Sequence, residues 1–148
     1  MERSLYFFPW RFFLAGDTAH LYFTANCKTN VQGGYNVRYC YAIKKGVEIN
    51  LDFSDGLPAY GSSFTIQVKN RKFCFNPNIV YPELNLNEKT THKVTKSKLV
   101  LYQKSYKASK IISGYVDAEF VETTLIPGHE PASHNYYFKG YFKTRVKD

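Results

Sequence analysis

Apolar and polar residues alternate along most of this chain. Val47, Ile49, Leu51 and Phe53 alternate with Glu48, Asn50 and Asp52, as do Phe64, Ile66 and Val68 with Thr65 and Gln67. A period of two predicts half-buried antiparallel strands. Tyr35, Val37, Tyr39, Tyr41 and Ile43 predict another strand facing inward on those residues, with Asn36, Arg38, Cys40 and Ala42 opposite. Asn70-Arg71, between FTIQVK and KFCFN, predicts a two-residue hairpin turn because Asn tolerates positive φ. Lys44-Lys45-Gly46 joins the Tyr-rich strand to VEINLDF. The Gly and Pro residues of Asp55–Gly61 and Asn76–Pro82 predict loops, and Leu99–Tyr102 a short strand.

The last third repeats one theme. Ile112, Gly114, Val116, Ala118 and Phe120 share a face, and so do Phe138, Gly140, Phe142, Thr144 and Val146. Residues 135–147 are expected to pair antiparallel with 111–123, joined by the loop Thr124–Ser133. Gly on the inner face of a strand marks a bend, a bulge or the close approach of another segment, and that reading is preferred to ligand contact. No run of ten residues shows a capped 3.6 period, so little helix is expected. Turns every 8–12 residues then predict an all-β fold, an antiparallel β-sandwich or flattened barrel of seven to nine strands.

Composition fits one domain over residues 1–148. A chain of 148 residues should bury roughly 70% of its unfolded surface without staples. Thirteen Tyr and twelve Phe disfavour disorder, and three Cys are too few for a disulfide scaffold. No apolar run is long enough to span a membrane as a helix. Residues 1–18 form an apolar N-terminal segment, possible as a degenerate export signal. Pro9 and Arg11 fit such a signal badly, and Asp17 stands where Leu14-Ala15-Gly16 would need a following Cys to carry a lipid. No signal peptide or lipidation box is intact.

IISGYVDAEFVETT and YYFKGYFKTRV, within residues 111–147, resemble the closing hairpin of small exported, lipoprotein-type β-sandwich domains of Bacteroidetes. VEINLDFSDGLPAYG resembles the central strand and Gly-containing loop of the same domains. The resemblance implies a cell-envelope or secreted β-sandwich and carries over no catalytic residue.

Candidate chemistry is sparse. No Gly-x-Ser-x-Gly elbow or phosphate-binding loop occurs, and Gln32-Gly33-Gly34 lacks the spacing for one. Asp117 and Glu119 share the outward face of their strand with Tyr115, a solvated arrangement. His129, Glu130 and His134 place three potential ligands in six residues, but the second His is one position too far for HExxH and Pro131 breaks the helix that motif requires. A metal would need a further ligand such as His92 or His20, so none is assigned and no cofactor is expected. Cys40 and Cys74 read as small buried fillers, and Cys27 completes an odd count that argues against a disulfide framework.

The net charge of +8 changes the picture, because it is unevenly spread. Seven Lys lie at 89, 93, 96, 98, 104, 107 and 110, interleaved with Tyr102 and Tyr106. They read first as protection of an edge strand, then as a polyanion or envelope surface. Nucleic acid is disfavoured, since the chain has only five Arg and no RNA-recognition signature. Tyr137 and Tyr141, out of phase with Phe138 and Phe142, should face outward with Lys139, Lys143 and Arg145, and with Tyr115 on the neighbouring strand. Exposed Tyr flanked by cations grips proteins or stacks on sugars. The expected function is therefore a non-enzymatic binding or structural module for a protein or glycan. The alternative is a lipocalin-like barrel whose cavity Phe64, Phe120, Phe138 and Phe142 would line.

Overall fold

A computed structural model describes residues 23–55, 62–81 and 87–148. The apolar segment 1–18, His20 and most of the Asp55–Gly61 loop lie outside the described residues. The strands are β1 (Ala25–Thr29), β2 (Tyr35–Val37), β3 (Tyr39–Lys45), β4 (Glu48–Ser54), β5 (Ser63–Lys69), β6 (Lys72–Asn78), β7 (Lys89–Leu101), β8 (Ile111–Leu125) and β9 (Ala132–Lys147). One short 3₁₀ turn, Val31–Gly33, separates β1 from β2. Among the described residues no helix is long and apolar enough to cross a membrane.

The all-β expectation holds, with nine strands in an open, mixed sheet. β9 is its spine. β8 pairs antiparallel with it from Ile111↔Arg145 to Thr124↔Ala132, which is the expected hairpin. β1 takes the stretch Phe138–Phe142, and β3 takes Val146 and Lys147. That last contact is parallel, a departure from the wholly antiparallel expectation. β3, β4, β5 and β6 then follow as a meander, while β7 flanks β8. β6 and β7 approach each other across the remaining side without a hydrogen-bonded ladder.

On the inner side of this sheet the aromatic rings of β4, β5, β6, β8 and β9 pack on one another. Phe64 stacks on Phe138 with centroids 4.3 Å apart, and Phe53 meets Phe138 and Phe142 edge-on at 5.2 and 5.4 Å. Phe75 and Phe120 complete the cluster at 6.2 Å. Each buried ring contributes roughly 2 kcal/mol or more from area alone. Phe64, Phe120, Phe138 and Phe142 are 0–1% exposed, each in ring contact with another member of the cluster.

Several local expectations need correction. The stretch 35–43 is two strands, and its phase slips at Arg38. The Arg38 carbonyl accepts the N–H groups of Thr24 and Ala25 at 3.0 Å, and Thr24 Oγ1 takes the Cys40 N–H at 2.6 Å. The chain leading into β1 thus holds this junction, so Cys40 and Ala42 turn inward and Tyr41 is 51% exposed. Leu99–Leu101 close a 13-residue strand, with Tyr102 just beyond it, because β8 offers a partner along the Lys-rich run, broken only by a bulge between Val94 and Lys96. Asn76, Pro77 and Asn78 extend β6 rather than forming a loop; Pro77 is tolerated because β6 is an edge strand. Cys74 is exposed for the same reason, whereas Cys27 and Cys40 are buried; all three are free thiols. The β3–β4 turn is Gly46-Val47, one residue later than expected. The Asn70-Arg71 turn is as expected, with φ of 50° and 63°, the doubly positive pair of a tight hairpin.

Candidate functional site

The outer face of β1, β7, β8 and β9 collects the residues singled out by phase. Register aligns Lys28, Lys139, Asp117 and Lys98 in one row across four strands. The next row holds Asn26, Tyr141 and Tyr115, whose rings lie 4.9 Å apart at 50°. Lys139 places its ammonium 5.0 Å over the Tyr137 ring, and Lys96 pairs with Asp117 at 2.8 Å. Neighbouring strands in a sheet lie about 4.8 Å apart, so Lys28 and Lys139 are one strand spacing apart and Lys98 two spacings beyond Lys139, across Asp117. Tyr115, Tyr137, Tyr141 and Lys143 are half-buried, and Lys139 and Arg145 are exposed. Burial lowers the Lys143 pKa, and burial followed by the Asp117 charge raises that of Tyr115. Arg145 is drawn aside, donating from Nη1 to the Ser109 carbonyl.

A second polar cluster sits on the inner face, at the end of the molecule near the β8–β9 turn. Glu122 is 3% exposed and opposes His92 on one neighbour and His134 on the other. Its carboxylate accepts the Tyr81 hydroxyl at 2.5 and 2.6 Å, and His92 Nε2 lies 2.8 Å away. Burial and then the Glu122 hydrogen bond push the Tyr81 phenol far above its ordinary pKa. A shallow depression of about 300 Å³ adjoins it, bounded by Glu88, Thr124, His134 and Tyr136. With both oxygens engaged, Glu122 fastens the segment after β6 to the β7–β8 pair. Extending the inward phase of Ile112 through Phe120 by one more step reaches Glu122, so its position was legible; its partners, distant in sequence, were not.

The opposite end is basic. The β3–β4 turn, the β5–β6 turn and the β7–β8 connection meet there; Lys45, Glu48, Lys69 and Lys72 are successive register partners, Lys69, Arg71 and Lys104 line one groove, and Lys107 and Lys110 follow in the β7–β8 connection. Glu48 stands among them, opposite Lys45 and Lys69, and Asp148 follows Lys147, the partner of Ile43. These connections enclose a groove of about 300 Å³ with Ile49, Val68 and Leu101 on its floor and Lys69, Arg71 and Lys104 at its rim. Val47 stands at its edge, 71% exposed. Periodicity gave no sign of this groove.

Among the described residues no group of three His, Cys, Asp or Glu side chains is placed to hold a metal. His129 and Glu130 lie in the β8–β9 turn, whereas His134 is on β9 and stacks on Tyr136 at 6.2 Å. No protein-family model matches the chain, and neither a curated protein nor a solved structure is significantly similar to it.

Proposed function

We propose that this protein is a non-enzymatic binding module that holds an acidic glycan on the outer face of β1, β7, β8 and β9. The observation that carries this reading is the row Lys28, Lys139, Asp117, Lys98 beside the Tyr115–Tyr141 pair. Three cations to one carboxylate in a row across four strands suit a polymer that carries repeated negative charges, and the adjoining rings offer apolar surface for sugar faces. The mutual packing of the core rings favours a surface role over a barrel that encloses a small ligand. The cell-envelope setting rests on the resemblance of residues 111–147 to exported β-domains. Affinity electrophoresis tests the reading: polygalacturonate in the gel should retard the protein and dextran should not, and Tyr141→Ala or Lys139→Glu should weaken retardation about tenfold. Equal mobility in both gels would remove the glycan and leave an acidic protein as the partner to seek.

A further inference from the structure

The basic end differs in kind from the outer sheet face. Lys69, Arg71 and Lys104, from the β5–β6 hairpin and the β7–β8 connection, flank a groove floored by Ile49, Val68 and Leu101, and Val47 of the β3–β4 turn, at its edge, is itself apolar and 71% exposed. An apolar side chain that projects into water beside these cations gains free energy when an apolar layer covers it. Charge complementarity requires a cover that is negative at its surface and apolar beneath. A groove of about 300 Å³ lies at the bottom of the range for ligand pockets, roughly 300–1,000 Å³, enough for a headgroup but not a whole lipid. Nucleic acid suits it less well, because the one aromatic ring of the lining, Tyr106, is packed against the core, and Arg71 is the one Arg among the described lining residues. From this we infer that the end formed by the β3–β4 turn, the β5–β6 turn and the β7–β8 connection docks on an anionic phospholipid surface. Val47 enters the headgroup layer, and Lys69, Arg71 and Lys104 hold lipid phosphates.

This inference does not depend on the glycan reading, and the two fail separately. The full chain is sedimented with vesicles of phosphatidylcholine, with and without added phosphatidylglycerol. Binding is expected only where phosphatidylglycerol is present, and it should weaken as salt rises. Lys72→Glu/Lys104→Glu should reduce it at least about tenfold. Lys72 opposes Lys69, so its reversal relieves a like-charge pair, and unchanged thermal unfolding will confirm that the variant is folded. Val47→Ser, which leaves the charge unaltered, should reduce binding roughly threefold. Lys139→Glu, on the other face, should leave it unaltered. Equal binding to both vesicle types, or variants that bind like the parent, would overturn the inference. So would a single-stranded oligonucleotide that binds as tightly as the vesicles and is indifferent to Val47→Ser, since that pattern marks a general polyanion site.

Discussion

Burial, complete or partial, raises the pKa of several weak acids. The Cys27 and Cys40 thiols rise because they are desolvated. Tyr35 is pushed up to about 12 by burial and then by the Asp55 charge, and its hydroxyl has no hydrogen-bond partner among the described residues. Tyr81 and Tyr115 rise as well. A folded pKa above the unfolded one means stability that is complete below the unfolded value and lost as pH rises towards the folded one. Unfolded Cys and Tyr ionise near about 8.5 and 10. Melting temperature should therefore be level around neutrality and fall steadily from about pH 8.5 to 10.5. Lys143, lowered by burial, works in the opposite sense. Cys40→Ala should flatten the first part of the decline and Tyr81→Phe the second. A melting temperature level to about pH 10.5 would show that these groups are not buried as described.

Strand crossings govern the elements. At Gly140 an added Cβ would lie 2.2 Å from the Asn26 carbonyl oxygen and 2.5 Å from the Cys27 Cα, with φ at 150°. At Gly114 it would lie 2.1 Å from the Val100 carbonyl oxygen. Both glycines therefore mark the close approach of another segment, the reading preferred from their phase. Gly128 in the β8–β9 turn also has positive φ, at 82°, but nothing within 4 Å. Gly128→Ala should cost about 1–2 kcal/mol of backbone strain. Gly140→Ala adds a backbone clash and should cost at least about 3 kcal/mol in urea unfolding. If the two variants unfolded alike, β1 would not cross β9 so closely.

At the scale of the whole molecule, the open seam between β6 and β7 is a liability. An unpaired strand edge invites pairing with another chain, and lysines along it oppose that. β7 carries Lys93, Lys96 and Lys98, all exposed, along its length. The triple variant Lys93→Val/Lys96→Val/Lys98→Val should self-associate, seen as a sedimentation coefficient that climbs with protein concentration while the parent's climbs less. Matching profiles would mean that the lysines serve only the outer face. The lysines that read as one cluster in sequence thus separate into two sets, Lys89, Lys93, Lys96 and Lys98 on β7 and Lys104, Lys107 and Lys110 in the β7–β8 connection.

Alternation by itself determined the fold class, the β8–β9 hairpin and the outward face of Tyr115, Tyr137 and Tyr141. These follow from local stereochemistry: in an unbroken strand successive side chains take opposite sides, and the positions of the apolar residues state which side is buried. The same rule misled at Arg38, where a hydrogen bond from a distant segment shifts the phase, and in the Lys-rich run, where a partner strand decides that polar residues extend. Only the tertiary structure decided that β3 joins β9 in parallel, that Tyr81 and His92 meet at Glu122, and that three turns share one basic end. Those arrangements depend on which strands neighbour one another, and neighbours far apart in sequence leave no periodic mark on it.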